Sequence, residues 1–299
     1  MELRGTQILD TFAEAFDMRY VQLLLTAHDD YWLEAAIREF TGYSSSVIAC
    51  DAETAVESYL EPTDTPDGRC GASLLAFGFS KKSLAQAIPN RTGQCLMTCP
   101  TTAVFDGLHE SEEHIPLGKH IRYFGDGFQK SKKLFDRRYW RIPVMDGEFL
   151  CEDEFGTTKG IGGGNLLICG RSQAETLIAT RQAVRAISDL RDVILHFPSG
   201  FVRSGSKVGS KYPDLKASTN DKWCPTLTAQ TETALRTNER AVYEIVIDGL
   251  TEAAVAQAMQ VGLDAAAGSD GILRISAGNY GGKLGPHHFH LHRLSASQR

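Results

Sequence analysis

The sequence has no long run of one charge, no membrane-length apolar stretch and no paired-cysteine pattern, and each lack narrows what the protein can be. Lys and Arg number 31 against 37 Asp and Glu, giving a formal net charge of -6 at pH 7 that is spread along the chain. That leaves no electrostatic footprint for nucleic acid or for an anionic membrane, so the expected ligands are small molecules. No segment approaches the ~18 consecutive apolar residues of a membrane helix. The opening "MELRGTQILDTFAEAF" has neither the apolar core of a secretory signal nor a basic amphipathic targeting pattern, which makes the cytoplasm the expected location. The 7 cysteines are odd in number and scattered, so free, mostly buried thiols are expected in place of a disulfide framework. "CLMTCP" spaces Cys95 and Cys99 as C-x3-C, which matches neither the redox C-x-x-C pattern nor a zinc knuckle.

What is present is ample apolar material, 42% of 299 residues, arranged in a repeated plan of apolar run, amphipathic helix pattern and second apolar run. The first copy is "YVQLLLTA", a helix from about Asp30 to Phe40 with Trp32, Leu33, Ala36, Ile37 and Phe40 on one face, then "SSSVIAC" as the second strand. The next is "NLLICG", a helix in "SQAETLIATRQAVRAI", then "DVILHF". There Ser172 and Glu175 read as a capping box, and Ala174, Leu177, Ile178, Val184 and Ile187 as the buried stripe. The last is "VYEIVIDG", "TEAAVAQAMQVGLDAAAG" and "ILRISAG". The two copies after Gly164 make β-α-β-β-α-β, the split βαβ of ferredoxin-like folds. "ASLLAFGF", "KKSLAQAI" and "TTAVF" complete the same set in the first half, although Pro89, Asn90 and Gly93 disturb its helix pattern. "IRYFGDGF", "RRYWRIPVM" and "GEFLCEDEFG" read as extra strands. The expected fold class is α+β, two related ferredoxin-like lobes at 1–150 and 151–299 with an antiparallel insertion between them. The polar stretch 216–241 reads as loop with at most one short helix.

Glu244 stands out in "VYEIVID". Strict alternation puts Tyr243, Ile245 and Ile247 under the helices, and Glu244 on the other face among apolar neighbours. A charge there is costly unless paired or protonated. Two readings stay open: an exposed or salt-bridged carboxylate, or a carboxyl with the raised pKa of a general acid. "FPSGFVRSGSKVGSKY" places Arg203, Lys207 and Lys211 after a strand, suited either to holding anionic groups or to solvation, and it lacks Walker spacing. "TPDGR" is a tight turn presenting Arg69, and "GIGGGN" has no dinucleotide spacing. "SAGNYGGKLGPHHFHLH" combines glycines fit for a phosphate cradle with alternating His288, His290 and His292, which could share one face as a zinc site while His287 faces away. No carboxylate or cysteine partner accompanies them, and no metal is expected.

In this order, "DTFAEAF", "TPDGR", "GQCLMTCPTTAVFD", "YFGDGF", "GEF", "GGGN", "SGSKVG", "VYEIVIDG" and "ISAGNYGG" resemble the formylmethanofuran:tetrahydromethanopterin formyltransferases, over about residues 6 to 294. The resemblance implies two related α/β lobes, dimers or tetramers with sites at subunit contacts, and formyl transfer between the amine of methanofuran and N5 of tetrahydromethanopterin. It implies no prosthetic group, the two carriers being substrates. On its motifs Glu244 is the proton-handling residue. Ser206, Lys207, Asn279, Tyr280, Thr101 and Thr102 are candidate substrate-binding residues, with the adjacent Gly278 close by. Direct attack through a tetrahedral intermediate makes a Cys99 nucleophile unnecessary. The histidine-rich tail and modest acidity resemble the bacterial, methylotroph branch. That branch implies transfer toward formate release with a partner hydrolase, and a place in a formyltransferase/hydrolase complex. The alternatives are a non-catalytic scaffold subunit that binds the furan cofactor and a metal-dependent amidohydrolase using the terminal histidines.

Overall fold

The computed structural model describes residues 1–205 and 207–296. In chain order the main elements begin with β1 (Thr6–Ile8), β2 (Phe12–Thr26), α1 (Asp30–Thr41), β3 (Glu53–Leu60), β4 (Gly71–Gly78), α2 (Lys81–Arg91) and β5 (Ala103–Asp106). Then come α3 (Gly118–Ile121), β6 (Lys130–Leu134), β7 (Arg137–Val144), β8 (Gly147–Glu152) and β9 (Thr158–Gly170). The remainder holds α4 (Gln173–Ser188), β10 (Val193–Ile194), β11 (Ala241–Gly249), α5 (Glu252–Ala266), β12 (Ile272–Ser276), β13 (His287–His290) and α6 (Leu291–Ala296). They make two compact units, Met18–Gly160 and Met1–Asp17 with Ile161 onward.

Met18–Gly160 is a split βαβ with strand order β3-β4-β2-β5, all neighbours antiparallel. Asp29 caps α1 by accepting from the Trp32 N–H, and Leu33, Ala36, Ile37 and Phe40 face the core as the sequence spacing requires. Helix α2 runs through Pro89 and widens into a π-turn at Thr92–Leu96, so the proline costs a local irregularity and not the helix. The insertion extends the sheet: β8 lies parallel to β5, and β8, β7 and β6 form an antiparallel meander.

The other unit repeats the plan with order β10-β11-β9-β12, again antiparallel throughout. Ser172 caps α4 and Thr251 caps α5. The two units share register as well as order. Leu24 lies opposite Ser73 and Leu167 opposite Glu244. Counting from these pairs, the helix caps fall at equal distances, Asp29 with Ser172 and Ser80 with Thr251. The lobes are related, with Ser73 in the place of Glu244.

Several expectations need correction. The compact units divide the chain differently from 1–150 and 151–299: Gln7 on β1 pairs in parallel with Arg274 on β12, and residues 12–15 pair with β13, so the first residues hydrogen-bond into the later unit. Cys151 and Phe155 belong to the other unit's core. "SSSVIAC" is a turn, because Ser46 O accepts from the Ala49 and Cys50 N–H groups, while Arg91 ties down Phe40, Gly42 and Tyr43 carbonyls; the strand starts at Glu53. "IRYFGDGF" closes local bonds as α3 and a 3-10 turn ending at Asp126 in the left-handed region. "DVILHF" pairs over only Val193–Ile194. In α4 the buried face is Thr176, Ala179, Thr180, Ala183 and Ile187, with Ile178 exposed, because small residues let α4 lie close to α5, where Gly262 meets Ile187.

Close approach also explains "GGGN". A Cβ on Gly164 would lie 2.4 Å from Val255 Cγ1 on α5. We expect Gly164→Val to lower unfolding stability by about 1–3 kcal/mol through overpacking, read from urea melts; unchanged stability would show that α5 can retreat at no cost.

Candidate active site

The alternation of β11 places Tyr243, Ile245 and Ile247 in the core and leaves Val242, Glu244 and Val246 half-buried on the opposite face. Beyond β10 the chain returns alongside β11. Val202 and Glu244 exchange backbone hydrogen bonds of 2.8 and 3.0 Å. The Glu244 carboxyl lines a narrow pocket of about 30 Å³, room for about one water, walled by Arg203, Ser204, Asn220 and Trp223. No hydrogen bond reaches this carboxylate among the described residues. Burial pushes its pKa up to about 7, with His196 pulling weakly the other way. His196 is itself buried with Asp248, Nδ1 to Oδ2 at 2.8 Å, and Asp248 accepts from the Gly163 N–H at 3.1 Å. Trp223 is held under the guanidinium of Arg274, which is paired to buried Glu239.

The glycine-rich loop after β12 binds a carboxylate of this chain. Glu14 accepts from the N–H groups of Tyr280 (2.7 Å), Gly282 (2.8 Å), Leu284 (2.6 Å) and Gly285 (2.7 Å). Gly281 and Gly282 have φ of 73° and 70°, the left-handed conformation that turns successive N–H groups inward. Burial alone would raise the Glu14 pKa; the four N–H groups outweigh it and hold it at about 2. Asn165, the last residue of "GGGN", clamps Gly278 from both sides, donating to its carbonyl and accepting from its N–H. The loop therefore has no free cradle for phosphate at these four amides.

The residues singled out in the sequence fall in different places. Asn279 is a loop brace, donating to Thr11 Oγ1 and the Phe12 carbonyl and accepting from the Gly281 N–H. Tyr280 is half-buried near Phe16, and its pKa is raised by burial and by the charges of Glu244 and Glu14. Lys207 pairs with Asp221 at 2.7 Å beside the pocket wall. Ser206 lies outside the described residues. Thr101 and Thr102 belong to Met18–Gly160. Thr101 has φ of 69°, gives its N–H to Asp146 and takes bonds from His28 N–H and Arg69. Thr102 is buried and donates to the Leu96 and Cys99 carbonyls. Burial raises the Cys99 thiol pKa, the reverse of what a nucleophile needs.

The histidines do not share one strand face. His288 and His290 flank Phe12 from β13, while His292 sits in α6 and contacts the Ile8 carbonyl. His287 meets Asp17 and Glu252. Sequence reasoning misses Glu14, Asn165, His196 and Asp248. Only Glu14 leaves a signal, a charge alternating between aromatics in "FAEAF", like that of Glu244.

The family model "Formylmethanofuran-tetrahydromethanopterin formyltransferase" matches residues 1–144, and "FTR, proximal lobe" matches residues 147–294. The chain belongs to the formylmethanofuran–tetrahydromethanopterin formyltransferase family. It is 53% identical to the formyltransferase of that name from Methylococcus capsulatus, covering 99% of this chain and 100% of that protein. It is 49% identical to a formyltransferase/hydrolase complex subunit of Methylorubrum extorquens, covering 98% of this chain and 96% of that one. Among solved structures, the Methylorubrum extorquens formyltransferase/hydrolase complex with methylofuran matches with TM-score 0.94 at 48% identity over 98% of each chain. The Methanosarcina barkeri formyltransferase matches with TM-score 0.92 at 43% identity, over 98% of this chain and 100% of that one.

The raised Glu244 pKa fixes a sign. Its folded value of about 7 exceeds the ordinary 4.5, so ionising it costs the folded state more than the unfolded one. We expect Glu244→Gln to match wild-type stability below pH ~4.5, gain on it as pH rises to ~7, and keep a constant advantage above. Urea melts across that range check this; a pH-independent difference would remove the buried-carboxyl account.

Proposed function

We propose that this chain moves a formyl group between N5 of tetrahydromethanopterin and the amine of methanofuran or a related furan carrier. The observation that carries the chemistry is Glu244, a half-buried carboxyl with a pKa of about 7 beside a narrow pocket. Attack by one amine on the formyl carbon builds a tetrahedral intermediate, which collapses only when the departing nitrogen carries a proton. A carboxyl that is about half protonated at neutral pH can give that proton in one direction and take it in the other.

Tyr280 is assigned as a hydrogen-bond donor to the reacting centre, which is supported by the charge of Glu244 reaching it, and Asn279 braces its loop. Lys207 and Ser206, on the segment that follows the pocket wall, are assigned to the anionic part of a carrier, as is suited to a basic loop after a strand. Thr101 and Thr102 are assigned to carrier binding from their own unit. Thr102 acts by closing the turn, because its hydroxyl is already donated to backbone carbonyls. Neither carrier needs a prosthetic group for this reaction: the amine supplies the nucleophile and the protein supplies positioning and a proton.

The favoured direction is from pterin to furan carrier, followed by hydrolysis to formate in a partner. What supports it is similarity to the Methylorubrum extorquens protein, which is part of a formyltransferase/hydrolase complex. Self-association as a dimer or tetramer and a cytoplasmic location complete the reading. No helix among the described residues is long and apolar enough to cross a membrane.

Incubating the purified protein with formylated pterin and furan carrier, and the reverse pair, should give transfer in both directions. Absence of transfer by folded protein would overturn the assignment and favour a scaffold. Glu244→Gln should lower kcat by about 10²–10⁴ with KM little changed, whereas wild-type turnover would remove its proton role. Cys99→Ser should transfer at the wild-type rate.

A further inference from the structure

The loop from Gly278 to Gly285 carries Tyr280, and its conformation is dictated from a distant part of the chain. It leaves the sheet in register with the acid, with β9 between them: Ser276 on β12 lies opposite Leu167, and Leu167 lies opposite Glu244. One cross-strand row therefore joins the start of the loop to the Glu244 position. Left to itself, such a sequence would be mobile, since glycines have the largest backbone entropy to lose. Its N–H groups are instead taken up one after another. Asn165 takes Gly278, Asn279 takes Gly281, and the Glu14 carboxylate takes Tyr280, Gly282, Leu284 and Gly285 at 2.6–2.8 Å.

We infer that Glu14 is a positioning residue for the transfer reaction: its carboxylate, seated in four backbone N–H groups, fixes the loop and so sets the Tyr280 hydroxyl in place for the reacting centre at Glu244. This rests on the roles of Glu244 and Tyr280 proposed above. The geometry suits a positioning task. Each carboxylate oxygen takes two N–H groups, Oε2 those of Tyr280 and Gly282 and Oε1 those of Leu284 and Gly285, so the loop is pinned on both sides of its tight turn. The Glu14 backbone is fixed as well, giving its N–H to the Gly278 carbonyl and pairing opposite His288. The backbone leaves no slack, since a Cβ on Gly285 would lie 2.2 Å from the Ala15 carbonyl oxygen. Tyr280 also senses the charges of both Glu14 and Glu244, which is consistent with its standing near each.

An acid seated in this way acts by length as well as by charge. Asp retains the charge but is one methylene short, and Gln retains the length but turns an N–H₂ toward N–H donors. The test is a kinetic comparison in the purified protein of Glu14→Gln, Glu14→Asp, Tyr280→Phe and the double variant Glu14→Gln/Tyr280→Phe. If Glu14 positions Tyr280, both Glu14 variants lower kcat by about 10²-fold, the cost of a misplacement on the order of 1 Å, with KM for both carriers nearly unchanged. The double variant is then no slower than the slower single variant, because Glu14 acts through Tyr280. Wild-type kcat in Glu14→Asp, or losses that multiply in the double variant, would overturn the proposal. A Tyr280→Phe variant with the wild-type rate would instead sink the role given to Tyr280. If the Glu14 variants do not fold, amide hydrogen exchange in the wild-type protein decides. Protection at Tyr280, Gly282, Leu284 and Gly285 supports the seat, and exchange at the rate of an open loop overturns it.

Discussion

A single carboxylate organises the part of this protein where chemistry is expected. Glu14 lies on β2, far in sequence from the loop it holds, and accepts from four of that loop's backbone N–H groups. The interaction solves two problems together. A buried carboxylate needs donors, and a glycine-rich turn with its N–H groups pointing inward needs an acceptor. Each alone would destabilise the fold, and combined they order the segment from Gly278 to Gly285. Asn165 finishes the work at the start of the loop by holding both polar groups of Gly278. The loop resembles an anion-binding cradle because it is one, and its anion is internal.

The two acids Glu14 and Glu244 show how environment divides labour between identical side chains. Glu14 is surrounded by donors and stays charged even in acid, at about 2. Glu244 is buried without such donors and is lifted to about 7, where it can exchange a proton at neutral pH. At the position matching Glu244, the lobe of Met18–Gly160 has Ser73, whose hydroxyl donates to Glu57 at 2.6 Å beside Gln22. That row is satisfied internally and is structural. The related row in the other lobe carries an acid without a hydrogen-bond donor among the described residues, so at matching positions one lobe has a hydroxyl with polar partners and the other a carboxyl whose pKa burial raises.

Much of the architecture is legible in the sequence because it follows from local periodicity. The helix face of α1, the alternation of β11 and the capping residue Ser172 are all set within a few residues of chain. Where pattern misleads, the deciding contacts are distant. Spacing in α4 favours its larger residues as the buried stripe, but Gly262 on another helix lets the small ones bury. "SSSVIAC" has strand composition, yet Arg91 from α2 collects the neighbouring carbonyls and the chain turns. The histidines alternate in sequence, but a helix begins at Leu291 and parts His292 from the strand.

By itself, the sequence determined that there are two α+β lobes of one plan, that Glu244 lies on the face opposite the helices, and that the chain resembles one formyltransferase family. Those properties are carried by short-range pattern and by ordered motifs. Only the tertiary structure decided that residues 1–17 complete the later unit, that Glu14 fills the glycine loop, and that His196 meets Asp248. The physical reason is that a hydrogen-bonding group does not encode its partner. Burial obliges each donor and acceptor to find one, and which one it finds is settled by how the strands and helices pack.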